Sequence, residues 1–153
     1  MKIVMEPIGT VVGGRTEPED EHWGAVQSSI VLDPERVGAD ATAGLADFSH
    51  IEVLYVFDRV DPATIERGSR HPRGNRAWPK VGILAQRARM RPNRIGASVC
   101  ELLSVEGREL QVRGLDAADG SPVLDIKPCM VEFAPRGALR QPAWASELMR
   151  DYW

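Results

Sequence analysis

The stretch QRARMRPNRIGAS, Gln86 to Ser98, sets Arg87, Arg89, Arg91 and Arg94 within eight residues, just ahead of an apolar run. Guanidinium groups gathered this closely suit phosphates or carboxylates, to which each can donate two parallel hydrogen bonds. They belong to a longer basic window. From Arg67 to Arg94 there is no Asp or Glu, and the window holds nine of the chain's 19 Lys and Arg residues although the net charge is -3. A run of this length, interspersed with Gly, Pro and Trp78, is better explained by an anionic partner such as RNA than by solvation alone. Near the N-terminus the sign reverses, with Glu17, Glu19, Asp20 and Glu21 close together.

Other chemistries find no support in the residue spacing. Cys100 and Cys129 form no CxxC or CxxxC pair and sit in apolar surroundings, which predicts two reduced, buried thiols. His22, His50 and His71 make neither HxxxH nor HExxH, so no metal site is expected. GxGxxG after a strand, GxxxxGKS/T and GxSxG are all absent, which sets aside dinucleotide, P-loop and α/β-hydrolase chemistry. Met1 is followed by neither a bilayer-length apolar stretch nor a basic-then-apolar leader. The expected setting is cytoplasmic, with no membrane partner.

The elements that must carry these residues read as mostly β. At 153 residues the chain is long enough for one domain with a sizeable core. MKIVMEPIGTVVGG opens with β-formers interrupted by Pro7, an edge strand or bulge, and ends on a Gly-Gly turn. AVQSSIVL predicts a second strand stopped at Asp33-Pro34, and PERVGADATAGLADF a short helix limited by two glycines. SHIEVLYVF is the clearest strand, with Ile51, Val53, Tyr55 and Phe57 on one apolar face. A short strand is expected at VGILAQ and a last one at VLDIKP. Between them, IGASVCELLSVEG and RELQVRGLD predict a hairpin turning at Glu106-Gly107. After Pro142, Trp144, Leu148 and Tyr152 are spaced along one face of a C-terminal helix. Six or seven short strands with turns between them predict a mainly β fold. The expected organisation is a single antiparallel β-barrel domain with short helices over residues 1–135 and a helical tail over residues 136–153.

Several separate motifs agree on a family. FSHIEVLYVF (Phe48 to Phe57), RPNRIGAS (Arg91 to Ser98) and LDAADGSPVLDIKP (Leu115 to Pro128) resemble, in order and spacing, the TrmO or TsaA-like methyltransferases. PIGTV (Pro7 to Val11) and GLADFSH (Gly44 to His50) extend the likeness over most of the chain, residues 5 to 133. The resemblance implies a barrel that binds S-adenosylmethionine and a homodimer with the cofactor near the subunit interface. It also implies N6-methylation of threonylcarbamoyl-adenosine beside the anticodon of tRNA. On this view tRNA is the partner, and the basic window neutralises its phosphates next to the cofactor.

The likeness assigns site residues position by position. Trp23, Gly24 and Ala25 take the place of the family's first cofactor loop, and Asp58 and Arg59, after the VLYVF strand, match a second contact. Arg87, Ala97 and the turn Leu115, Asp116, Ala117, Ala118, Asp119 and Gly120 match the remaining cofactor contacts. A sulfonium nucleoside sorts these further. Asp116 or Asp119 suits the ribose diol or the amino group, Arg59 or Arg87 the methionyl carboxylate, and Gly96, Ala97 and Ser98 the close approach of a flat ligand. Asp119-Gly120 also reads as a type I′ turn, and both roles can hold at once. Arg89, Arg91, Asn93 and Arg94 are assigned to the substrate; Arg91 is equally able to hold the cofactor's carboxylate or an acid of the barrel. In-line methyl transfer asks chiefly for alignment. The proton leaving N6 would go to Asp125, Asp116 or Asp119, with Asp125 and Lys127 taken as the catalytic pair.

The chain departs from the family pattern in several places. Arg94 stands where RPNPIG has its second proline, AQRAR replaces ATRSP, Asp58 replaces a histidine, and Cys129 replaces the aromatic of DIKPY. Glu21-His22 precedes Trp23 where the family has Arg-Gln, and a short helix stands where some bacterial members have a smaller second domain. Asp58 and the acidic loop repel a phosphate where a histidine or arginine would not. The first expectation is therefore an S-adenosylmethionine-dependent methyltransferase for tRNA adenosine. The other is a non-catalytic barrel that binds RNA or senses the cofactor, or a methyltransferase for a small molecule.

Overall fold

A computed structural model describes all 153 residues. In chain order the strands are β1 (Gly9–Val12), β2 (Gln27–Leu32), β3 (His50–Val56), β4 (Ser69–Arg70), β5 (Val81–Gly82), β6 (Ile95–Glu106), β7 (Glu109–Arg113) and β8 (Pro122–Pro128). One α-helix, α1 (Ala143–Leu148), follows. Six strands close into a barrel in the order β1-β2-β7-β6-β3-β8, and β4 and β5 form a separate two-stranded ladder. Every neighbouring pair in the barrel is antiparallel.

Alternation of side chains decides what fills the barrel. In β3, Ile51, Val53 and Tyr55 are buried, and the register sets them opposite Cys100, Ser98 and Gly96 of β6. Directly opposed residues point to the same face, so these pairs meet inside. The pairing is matched in size: a Cβ added at Gly96 would come within 2.5 Å of the Tyr55 ring. Val11, Ile30, Leu110, Val112, Leu115 and Val123 complete the core with no exposed surface. Burial of such side chains contributes about 1.5–3 kcal/mol each. At the barrel end near Pro128, the loop from Val37 to Phe48 covers an apolar cavity of 490 Å³.

The loops differ from expectation in instructive ways. No α-helix forms after Pro34. Asp33 starts one turn, accepting from Val37 N at 2.9 Å, and Gly38 ends it; only a 3-10 turn at Leu45–Asp47 follows, after Gly44 in the left-handed region. Of VGILAQ only Val81–Gly82 is strand, and Ile83–Ala85 is a 3-10 turn. The β6–β7 hairpin turns at Gly107-Arg108, one residue later than predicted, because Glu106 pairs with Glu109. Asp119-Gly120 is closed by Ser121 N donating to Ala118 O at 3.1 Å, with positive φ at Gly120 alone. That is the pattern of a type II turn, not type I′, which needs positive φ at both central residues.

Cys100 lies in the core and burial pushes its thiol up to about 12, whereas Cys129 is only half-buried; both are free. A thiol needs its thiolate to react. A disulfide-type thiol reagent at pH 8 should therefore modify Cys129 in the folded protein and Cys100 only after denaturant is added. Two rapid equivalents in native buffer would contradict this packing. No helix is long and apolar enough to cross a membrane, and no three His, Cys, Asp or Glu side chains cluster as a metal site would require.

Candidate functional site

At the barrel end where Tyr55 lies on Gly96, loops build a broad cleft of 1420 Å³. Its base contains Tyr55 and Phe57, packed edge to face with centroids 5.3 Å apart, and the segment Asp116, Ala117 and Ala118. Asp116 is the hub. Tyr55 Oη donates to its backbone oxygen at 2.9 Å and to Oδ1 at 3.0 Å. Tyr152 Oη, from the C-terminal segment, donates to Oδ2. Burial and then the negative charge of Asp116 push both phenols above their ordinary range, while Arg87 works weakly in the other direction. Both hydroxyls thus remain protonated donors at any physiological pH.

The loop ahead of β2 forms one lip. The Arg15 guanidinium lies over the Trp23 ring, 4.7 Å from its centroid, and donates to Glu21 O at 2.5 Å and His22 O at 2.6 Å. Trp23 is buried and donates from Nε1 to Glu19 O at 3.0 Å. Arg59 faces the cleft, yet its guanidinium is engaged by Thr16 O and Asp119 O. Asp119 in turn accepts from Gly13 N at 2.7 Å. These two residues brace the loop, and Asp119 does not line the cleft.

The basic window forms the opposite lip, and two of its nine cations meet acids of the loop ahead of β2. Arg73 bonds Glu21 Oε1 at 3.0 Å, and Arg89 bonds Asp20 Oδ1 at 3.1 Å and Pro18 O at 2.6 Å. Such partly exposed pairs contribute little stability, about 0–1 kcal/mol each, but they set how far the lips stand apart. Arg87 donates to Ala97 O at 2.5 Å, and Arg91 donates to Gln86 O at 2.9 Å, tying its own loop together. Arg94 donates to Val60 O at 3.1 Å from a left-handed backbone, φ 53°. Arg67, Arg76 and Lys80 are exposed and unpaired.

Of the residues singled out in the sequence, Trp23, Asp58, Arg59, Arg87, Arg89, Arg91, Ala97, Asp116, Ala117 and Ala118 line this cleft. Leu115 lies in the barrel core. Gly24 is pressed against the backbone of Trp153, where an added Cβ would sit 2.7 Å from its carbonyl carbon. Ala25, Asn93 and Gly120 are exposed, and none of them borders the cleft, nor does Arg94. Asp125 and Lys127 are not brought to it either. An irregularity in the β3–β8 register between Leu54 and Tyr55 lets Val123 and Ile126 both meet the core, so Asp125 and Lys127 face outward, paired with each other.

Sequence reasoning overlooked four side chains. The Tyr55 hydroxyl was signalled, since a tyrosine on an inward strand position needs a partner for its hydroxyl. Arg15 and Tyr152 carried no local signal, because the groups that they serve lie in other turns of the chain. Arg70 is the fourth. It borders the cleft, its Nε is buried without a partner, and its one acceptor is the Met90 thioether at 3.7 Å.

The molecule is a closed six-stranded antiparallel barrel with an aromatic, carboxylate and arginine cleft at one rim, the kind of concave, mixed lining that small-molecule sites use. Residues 17–134 match the tRNA-methyltransferase O N-terminal domain, and the chain belongs to that family. It is 41% identical over 132 residues to a probable S-adenosyl-L-methionine-binding protein of Methanothermobacter thermautotrophicus, covering 84% of this chain and 90% of that one. It is 35% identical over 108 residues to a tRNA (adenine(37)-N6)-methyltransferase of Mus musculus, covering 71% of this chain and 24% of the mouse protein. The crystal structure of TrmO from Pseudomonas aeruginosa superposes with a TM-score of 0.74 at 29% identity over 92% of this chain. This chain spans 61% of that solved chain.

Proposed function

We propose that the chain is an S-adenosylmethionine-dependent methyltransferase that methylates N6 of an adenosine in tRNA, with threonylcarbamoyl-adenosine beside the anticodon as the acceptor. The observation that carries this reading is the Asp116 carboxylate, held by two tyrosine hydroxyls inside a cleft large enough for a nucleoside and part of a second substrate. The names of the relatives support it, and so does the fit of the residues to the cofactor. Asp116 accepts from the ribose diol or the adenine amine, with Phe57 and Tyr152 offering apolar faces. Arg70, short of acceptors for its donors, suits the methionyl carboxylate, a role that Arg59 cannot take while it braces the loop. Arg87, with one carbonyl partner, has donors to spare for the same group.

The bound cofactor supplies an electrophilic methyl group. The chain's own task is to hold donor and acceptor in line and to exclude water. Among the acids of the cleft, Asp58 has no hydrogen-bond or ion-pair partner, which leaves its carboxylate free to receive the N6 proton. Arg67, Arg76 and Lys80 would contact tRNA phosphates. Leu84 and Val99, 81% and 52% exposed on the cleft's border, suit the pairing of two copies in a cytoplasmic homodimer. One observation favours the second reading, a small-molecule acceptor or cofactor sensing without RNA: Glu21 and Asp20 already neutralise Arg73 and Arg89.

Calorimetry with S-adenosylmethionine tests the cofactor. Binding is expected, and Asp116→Asn should weaken it ~10–100-fold, as expected for hydrogen bonds to a charged group. No heat with the wild-type chain would overturn the proposal. Nucleoside mass spectrometry of tRNA from a deletion strain tests the acceptor: one methyl group should be missing. An unchanged methyl content alongside cofactor binding would leave the small-molecule or sensing reading.

A further inference from the structure

Residues 136–153 lie beyond the matched family domain, which ends at 134, yet they wall the cleft. Helix α1 turns Trp144 and Leu148 toward it, with Tyr152 a turn further on. A six-residue helix has no stability of its own. Its place is set by contacts to both lips, made at its C-terminal end and just beyond it. Trp78 Nε1, in the basic window, donates to Glu147 Oε2 at 2.8 Å. On the other side His22 N and Trp23 N donate to Asp151 O and Tyr152 O, each at 2.8 Å. The tail therefore spans from one lip to the other and delivers its tyrosine to Asp116.

We propose that Tyr152 is a positioning residue for the cofactor: the tail completes the pocket in cis, and the Tyr152 hydroxyl, with that of Tyr55, fixes the Asp116 carboxylate in the orientation that meets the nucleoside. The proposal rests on the cofactor reading given above. Tyr55 alone holds Oδ1 and the backbone oxygen of Asp116, leaving Oδ2 to Tyr152. The terminal torsion of an aspartate is broad and two-fold. With Oδ2 released, the carboxylate swings, and a ligand that needs it in one orientation must bear the ordering cost. The tail also packs on Gly24, where an added Cβ would lie 2.7 Å from the Trp153 carbonyl carbon.

Calorimetry with S-adenosylmethionine on wild type, Tyr152→Phe, Asp116→Asn and the double variant tests this, with a melting curve for each. Tyr152→Phe removes one hydroxyl from a charge-assisted bond and should weaken binding ~10-fold with little change in melting temperature. Because Tyr152 acts through Asp116, the double variant should bind no worse than Asp116→Asn alone. Losses that simply multiply would place Tyr152 outside this unit and overturn the proposal. Equal affinity in Tyr152→Phe and wild type would overturn it while leaving the cofactor reading intact. Tighter binding would also overturn it, since the tail would then compete with the ligand. Absence of binding to the wild type overturns the cofactor reading and this inference together. Should Tyr152→Phe fail to fold, Glu147→Ala, which frees α1 from Trp78 without touching Asp116, carries the same expectation of weakened binding, and unchanged affinity there counts against the proposal.

Discussion

Gly96→Ala is expected to lower unfolding free energy by about 3 kcal/mol, the upper part of the usual range for overpacking a core, and to weaken cofactor binding with it. The new methyl would lie 2.5, 2.6 and 2.9 Å from three atoms of the Tyr55 ring. The ring has nowhere to retreat. Its strand is paired on both sides, to β6 and β8, and its hydroxyl is tethered to Asp116. If the ring yields, the tether breaks; if it holds, the strands must part. Chemical denaturation reads the first effect and calorimetry the second. Combined with Tyr55→Ala, the two losses should sum to less than their separate values, because the clash and the truncation share one space. A Gly96→Ala variant as stable as wild type would show that the ring and the glycine are not in contact as described.

Arg94→Pro restores the family's RPNPIG pattern, and it should cost about 3 kcal/mol in spite of that. Arg94 has φ 53°, where a pyrrolidine ring requires about −65°. Its N–H donates to Arg91 O at 3.0 Å, closing the turn, and proline has no such donor. Its guanidinium also holds Val60 O. Arg94→Gly separates these causes, since glycine accepts the positive φ and keeps the N–H while losing only the side-chain bond. The expected order of stability is wild type and Arg94→Gly close together, with Arg94→Pro far below. A proline variant that melts with the wild type would show that the turn adopts the family geometry.

The barrel was legible because its signal is periodic. Inward apolar positions two apart in SHIEVLYVF and in the β6–β7 hairpin are read directly from the residues, and the strands fall there. Segments without a period were not. PERVGADATAGLADF has helical residues, but Asp33 and Gly38 satisfy and then break the first turn, so local hydrogen bonding wins over propensity. The turn at Asp119-Gly120 was located correctly and typed wrongly, since its geometry depends on what Asp119 and Gly120 bond elsewhere.

Charge was the least legible part of the cleft. The sequence shows Glu21 and Asp20 as one patch and the arginines as another. Their pairing across 52 and 69 residues is a property of the closed barrel alone. The same holds for Tyr152, which reaches Asp116 across 36 residues and looks in the sequence like the end of an ordinary amphipathic helix. Asp125 stands outside the cleft for a simpler reason. A carboxylate in a strand faces the cleft or the solvent according to register, and one residue decides which.

Because the six strands circle back on themselves, no barrel strand lies at a sheet edge along its whole length. The two-residue ladder of β4 and β5 is too short to template another strand. Fibrous self-assembly by sheet extension is thereby disfavoured. Whatever joins this domain, a second copy or a nucleic acid, must recognise it chiefly through side chains.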